Sequence, residues 1–329
     1  MSAKEILKVN HLKTYFTTRR GLVKAVDDVG FHISAGEIVG LVGESGSGKS
    51  ITCLSILGLV PQPAGRIVGG EIFFQGEDLL KKTENEMRRI RGSKITIILQ
   101  DPLTSLNPVF SIGNQVAEPF KYHTEVRGRK NVIERVVNVL TCVGIPSPKS
   151  RLKDFPHQFS GGMRQRVVAG MSIACQPQLL IADEPTTALD VTIQAQFLRL
   201  IKTLQKEQNL AVIFISHDLG IVAEICDRVL VMYAGRIIES GDVFRIFENP
   251  AHPYTEGLMK SVPLLGSKVD TLFSINGQPP DLRHLPQGCR FSPRCTKAME
   301  VCHREYPPKT LLASGGFVNC WLWDEHYHD

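Results

Sequence analysis

The stretch Gly43–Ser50, "GESGSGKS", decides how this chain is read. Three glycines, three serines and one lysine in eight residues cannot build a core, yet they directly follow an apolar run, Ile38–Val42. Gly43, four residues, Gly48, Lys49 and Ser50 fit the phosphate-binding pattern G-x-x-x-x-G-K-[ST]. Small residues such as Ser45, Gly46 and Ser47 let backbone N–H groups turn inward around a polyphosphate. The segment that follows, "ITCLSILGLV", reads as a helix and aims its positive dipole end at the same anion. Lys49 would reach the outer phosphates, and the Ser50 hydroxyl would ligate Mg²⁺. The bland alternative is a Gly/Ser turn that happens to contain GKS. The strand-like run before it and the helical run after it argue against that.

The chain has 329 residues, enough for about two domains. Its formal net charge is +5, which suits anionic ligands but is too small to indicate nucleic acid. The opening "MSAKEILKVNHLKTYF" lacks the layout of a signal peptide. No apolar stretch reaches the roughly 18 residues that a membrane helix needs. The expectation is a cytosolic chain that reaches a membrane only by docking on something that spans one. Cys53, Cys142, Cys175 and Cys226 are scattered among apolar neighbours and read as small hydrophobes. Cys289, Cys295, Cys302 and Cys320 sit together near the end of the chain and form a separate group.

Short apolar runs alternate with helical patterns. Strands are expected at Ile38–Val42, Ile95–Leu99, Leu179–Ala182, Val212–Ile215 and Val229–Tyr233, with helices such as Arg164–Ala174 and Thr192–Glu207 between them. That alternation predicts an α/β domain with a mixed, largely parallel sheet. Additional strand-like pieces, "EIFFQGEDL" among them, lie in the front part. Residues from about 101 to 165 look helical and interrupt the strand series as an inserted subdomain. After "ENPAHPYTEGLM" proline, cysteine and glycine rise and periodicity fades, which places a boundary near residue 250. The expected domains are therefore 1–250 and a small Cys-rich extension, 251–329.

"QLLIADEP" (Gln178–Pro185) is an apolar strand ending in two acids. In a phosphate-loop sheet such a strand delivers Asp183 to Mg²⁺ and leaves Glu184 where an attacking water needs a general base. "FSGGMRQR" (Phe159–Arg166) places a serine and two glycines before a helix, an anion site built from backbone amides. Alone it is as readily an ordinary helix cap. "TTALD" (Thr186–Asp190) and "ISHDL" (Ile215–Leu219) follow.

With these motifs in this order, the first 250 residues or so resemble the ATP-binding subunits of ABC transporters. The resemblance implies a phosphate-loop ABC ATPase domain with a helical subdomain. It implies that Phe16, or alternatively Tyr15, stacks on adenine. Gln100 would sense Mg²⁺ and water, and Ser160, Gly161 and Gly162 would form the signature loop. Asp190 would belong to the loop that crosses a dimer interface, and His217 would touch the γ-phosphate. Two anion sites in one chain suggest that two chains sandwich each ATP, each giving one site. Two positions depart from the family pattern. Ile51 stands where many members carry threonine, and Met163 replaces a frequent glutamine. Lys49, Asp183, Glu184 and His217 are all present, so a competent ATPase half-site is expected.

"HPYT" (His252–Thr255), "INGQPPDL" (Ile275–Leu282), "CRFSPRC" (Cys289–Cys295) and "QDPLTSLNP" (Gln100–Pro108) look like the oligopeptide and dipeptide importer branch. That resemblance implies a second, homologous ATPase subunit and two transmembrane permease subunits, with an external peptide-binding protein delivering cargo. It implies no nucleic-acid partner and a peripheral place on the cytoplasmic face of the membrane. Nickel importers share this architecture. ABC ATPases that act on DNA or ribosomes usually carry a long coiled coil or two ATPase domains per chain. A regulatory module without turnover would lack Glu184 or His217. For the four late cysteines, a cytosolic chain disfavours disulfides. Zinc sites usually pair cysteines two to four residues apart, whereas the gaps here are five, six and seventeen residues. Four cysteines without a close pair still suit an iron–sulfur cluster, and the resemblance points to a 4Fe–4S cluster, with zinc as the alternative. The cluster is expected to stand apart from the ATP site.

Overall fold

The computed structural model describes residues 4–99, 105–186, 191–261 and 274–324. It divides into two compact units, one of Met1–Ile6, Ser34–Ile38 and Lys81–Ile215, the other of Leu7–Ile33, Val39–Leu80 and Ser216–Asp329.

The second unit contains most of a four-stranded sheet of order β2-β1-β4-β5, formed by β1 (Glu5–Thr18), β2 (Gly21–Ser34), β4 (Gly65–Phe74) and β5 (Glu77–Asp78). "EIFFQGEDL" is thus the turn of a hairpin, Phe73 pairing with Asp78. The length of β1 and β2 is not legible from alternation. His11 at φ 48° and Asp28 at φ 71° interrupt them, and β1 slips register against β4 between Asn10 and Thr14, so the period of two breaks partway.

In the same unit β3 (Ile38–Val42) runs parallel to β9 (Arg228–Tyr233). β9 returns antiparallel as β10 (Arg236–Asp242). The turn between them is Ala234–Gly235, both at positive φ (44° and 85°), which suits a tight hairpin and leaves no length for a crossover helix. This antiparallel edge makes the sheet mixed, as expected. β12 (Phe317–Val318) then pairs antiparallel with β10, and β11 (Thr310–Leu311) with β12. Residues far beyond the expected boundary near 250 extend this sheet.

The first unit holds three parallel strands in the order β8-β7-β6: Ala211–Ile215, Leu179–Asp183 and Ile95–Ile98. β7 and β8 are buried at every position, as strands covered on both faces are, and so read as continuous apolar runs. The helix Val191–Gln208 buries Phe197, Leu198, Ile201 and Leu204, one stripe at helical spacing. The expected helical insertion comprises Ile112–His123, Arg129–Cys142 and the start of Gly161–Ile173. Gly170 lets the last two approach closely, since a Cβ there would lie 2.9 Å from Val139 Cγ1.

After β10 the chain turns into the tail around a buried charge. Glu239 is 0% exposed and accepts from Arg245 Nη1 at 2.7 Å and from the Ala251 and His252 amides at 2.8 Å each. Glu239→Ala leaves Arg245 Nη1 and the Ala251 and His252 amides without their acceptor and the guanidinium without its counter-charge, with only the Ser240 carbonyl still accepting from Nη2. Denaturant titration should register a loss of about 3–5 kcal/mol. A loss near zero would mean the pair is not buried as described.

Candidate nucleotide site

The phosphate loop is shaped by two close approaches. Gly43 has φ 150°, and a Cβ there would lie 2.1 Å from the Met232 carbonyl oxygen. Gly48 has φ 108°, and its Cβ would lie 2.3 Å from the Ala25 carbonyl oxygen. Between them the loop closes on its lysine. The Lys49 ammonium is buried and donates to the carbonyls of Gly43 (2.8 Å) and Glu44 (2.9 Å) and to Ser47 Oγ (3.4 Å). The loop is also tied to the hairpin turn, because the Gly235 amide donates to the Ser47 carbonyl at 2.8 Å. Ser45, Gly46 and Ser50 are exposed, and Ile51 is half-buried. Helix Lys49–Ile56 begins at Gly48, with no side-chain cap, as a helix N-terminus left open to an anion would.

Tyr15 and Phe16 point to opposite faces of β1. The Tyr15 hydroxyl donates to Asp27 at 2.6 Å, and burial together with that bond pushes its pKa up to about 12. Phe16 lies over Gly65, where a Cβ would come within 2.6 Å of its ring. His217 is exposed, between buried Ser216 and Asp218, which caps the helix Leu219–Ile225.

In the first unit, Asp183 ends β7 and is buried. Glu184 sits at φ 48°, in the left-handed region, and its amide donates to the Ile215 carbonyl at 3.0 Å, which holds the sharp exit from the strand. Ser160 caps helix Gly161–Ile173 by accepting the Met163 amide at 3.3 Å. Gly161 is exposed, and a Cβ on it would meet nothing within 4 Å. At Gly162 a Cβ would press on Ile193 at 2.9 Å. Gln165 of the same helix donates to the Pro185 carbonyl, so signature helix and β7 exit are linked. Gln100 and Asp190 lie outside the described residues.

Two family models match the chain. "ABC transporter" matches residues 26–187, and "Oligopeptide/dipeptide transporter, C-terminal region" matches 238–302. The oligopeptide transport ATP-binding protein AppD of Bacillus subtilis (strain 168) is 49% identical over 320 residues, 97% of each chain. This chain belongs to the ABC transporter ATP-binding proteins of the oligopeptide/dipeptide class. The dipeptide transport ATP-binding protein DppD of the same organism is also 49% identical, over 98% of this chain and 96% of its own. Among solved structures, cbiO1 from Clostridium perfringens, part of the ABC transporter complex cbiONQ, superposes with a TM-score of 0.63 at 28% identity, covering 75% of this chain and 92% of its own. The post-hydrolysis dimer of the ATP-binding cassette MJ0796 gives a TM-score of 0.65 at 24% identity, over 72% and 98%, and supports the fold. Among the described residues of this ABC ATPase, no helix is long and apolar enough to cross a membrane.

The four late cysteines converge. Cys289, Cys295, Cys302 and Cys320 are free thiols lining one small cavity. The Cys289 amide donates to the Cys302 carbonyl at 2.8 Å, an approach that Gly288 permits, since a Cβ there would lie 2.4 Å from the same oxygen. Burial pushes the Cys289 thiol up to about 11 and the Cys320 thiol up to about 12. Buried His252 Nε2 and Ser292 Oγ have no hydrogen-bond partner, and both residues line this cavity. No group of three or more His, Cys, Asp or Glu among the described residues could hold a metal ion as it stands.

The tail does not stand apart from the phosphate loop. Arg294, from the cysteine-bounded loop, donates to both carboxylate oxygens of Glu44 at 2.8 and 3.1 Å, and the Tyr254 hydroxyl accepts the Glu44 amide at 2.8 Å. "HPYT" and "CRFSPRC" are visible in the sequence as motifs. Their contacts with residue 44 span 210 and 250 positions, and no local pattern encodes them.

The glycines give a direct test of the loop. Gly43→Ala drives a Cβ into the Met232 carbonyl and should abolish Mg-ATP binding in a calorimetric titration. Gly46→Ala meets nothing within 4 Å and bears only the strain of φ 77°, on the order of 1–2 kcal/mol. Equal effects of the two would show that the backbone approach at Gly43 is not what shapes the loop.

Proposed function

We propose that this subunit binds and hydrolyses Mg-ATP to power import of di- or oligopeptides through a membrane complex, docked peripherally at its cytoplasmic face. The observation that carries this reading is near-half identity over the full length of two relatives named for oligopeptide and dipeptide transport, tail included. Import of another solute such as nickel, or a non-transport role, has no comparable support.

Each motif then has a role. The phosphate loop, Gly43 to Ser50, wraps the polyphosphate, with Lys49 at its centre and the half-buried Ile51 contributing its backbone amide. Adenine stacks on Phe16, with Tyr15 as the alternative. Ser50, Asp183 and Gln100 would offer the hard oxygen donors that suit Mg²⁺, which would supply charge neutralisation to the phosphates. Ser160, Gly161 and Gly162 present backbone amides to the nucleotide of a second, homologous ATPase subunit, and Asp190 lies in the interface loop. Closure of that pair moves two permease subunits, and an external binding protein supplies the peptide. ATP favours the closed pair only through its higher affinity for that state. Glu184 takes the proton of the attacking water, and His217 donates to the γ-phosphate.

The cysteine cavity suits a 4Fe–4S cluster better than zinc. Four cysteines line one space, and His252 and Ser292 offer hydrogen-bond donors to cluster sulfur. Its role in this reading is to order the tail.

Glu184→Gln, in the assembled transporter with Mg-ATP, should lower hydrolysis by a factor of about a hundred to ten thousand while nucleotide binding persists. Undiminished turnover would remove Glu184 from the role of base. Anaerobically purified protein should be brown and contain about four iron and four labile sulfide per chain. Zinc, or no metal, in such protein would overturn the cluster.

A further inference from the structure

We propose that the loop Cys289–Cys295 braces the phosphate loop, and that Arg294 is a positioning residue for ATP. The proposal rests on the reading of Gly43–Ser50 as the ATP site and adds to it a determinant some 250 residues away in sequence.

Arg294 spans from tail to loop with every arm engaged. On the tail side its Nε donates to the Asn276 carbonyl (3.0 Å) and Nη2 to the Ile275 carbonyl (3.2 Å). On the loop side Nη1 and Nη2 grip the two oxygens of Glu44, and Nη1 also reaches the Tyr233 hydroxyl at 3.2 Å. The Arg294 side chain is 6% exposed and the Glu44 side chain 24%, so the bidentate pair is partly withdrawn from solvent. Tyr254 holds the Glu44 amide, and the rings of Tyr233, Tyr254 and Phe291 pack edge and tilt at centroid distances of 4.5–5.4 Å beneath the pair. Glu44 is thus held by both its side chain and its backbone, and its carbonyl is one of the acceptors of the Lys49 ammonium.

The other arginine of the same short loop holds the hairpin turn that in turn bonds Ser47 of the phosphate loop. Arg290 donates to the Ala234 carbonyl and to Asp27. The next residue, Gly235, donates its amide to the Ser47 carbonyl and accepts the Asp27 amide, both at 2.8 Å. One cysteine-bounded loop therefore fixes Glu44 near the start of the phosphate loop and, through the hairpin turn, Ser47 near its end. Holding those two points sets where the intervening amides aim, and sub-ångström errors in such a cradle are costly.

A tail ion pair with only a stabilising role makes a different forecast, and binding separates the two. Mg-ATP affinity of the full chain is measured by calorimetry, with a circular-dichroism melt for each variant. Arg294→Ala should raise the Kd roughly tenfold, in the usual range of coupling between sites. Arg294→Lys should recover part of this, since a point charge replaces the fork. Glu44→Ala should weaken binding too, and the double variant should be no worse than Glu44→Ala alone, because Arg294 acts through Glu44. An unchanged Kd in folded Arg294→Ala, an unchanged Kd in Glu44→Ala, or losses that add in the double variant would each overturn the brace. If Arg294→Ala fails to fold, the comparison of Glu44→Ala with the double variant, which leaves no unpaired buried charge, decides alone. A wild-type chain that does not bind Mg-ATP would sink the ATP reading itself and the brace with it.

Discussion

A buried ammonium is costly unless acceptors surround it, and its own loop offers Lys49 the carbonyls of Gly43 and Glu44 and the hydroxyl of Ser47. That requirement folds Gly43–Ser50 into a tight turn whose carbonyls converge on one nitrogen. The turn in turn demands glycine where neighbouring carbonyls press in, from Met232 on one side and Ala25 on the other. The second unit is arranged around this loop. β3 delivers it, helix Lys49–Ile56 leaves it, and the β9–β10 hairpin ties down Ser47.

The first unit solves a related problem by different means. β7 is fully buried and apolar until Asp183, and its last polar residues must then turn out of the sheet at once. Glu184 does so in the left-handed region, a strained place for a residue with a side chain, held by the Ile215 carbonyl. Strain of this kind at a strand exit fits a carboxylate that has to be presented at a fixed point. The Gln165–Pro185 bond carries that constraint back to the helix that Ser160 caps.

The tail is more than an appendage. Glu239 gathers the turn into it, β12 extends the sheet edge through Glu239 and Ser240, and Gly316 fits against the Ser240 carbonyl where a Cβ would lie 1.9 Å away. The same packing brings four cysteines, with as many as seventeen residues between neighbours along the chain, to one cavity. It also carries Arg294 to Glu44 of the phosphate loop and Arg290 to the hairpin turn that bonds Ser47.

The amino-acid order alone determined the chemistry-bearing motifs, because phosphate binding and strand burial are local demands. A loop of small residues before a helix, and apolar runs of five residues ending in acids, show themselves within a short window, and the strands at 38–42, 95–98, 179–183, 211–215 and 228–233 fall within one residue of their expected bounds. What the tertiary structure decided was everything that depends on partners distant in sequence. The antiparallel edge from β9 to β12, the length of two irregular strands, and the seating of Arg294 on Glu44 and Tyr254 on its amide are of this kind. Sequence spacing carries no record of a hydrogen bond across 250 residues, and packing of the whole unit places its two ends within 3 Å of each other.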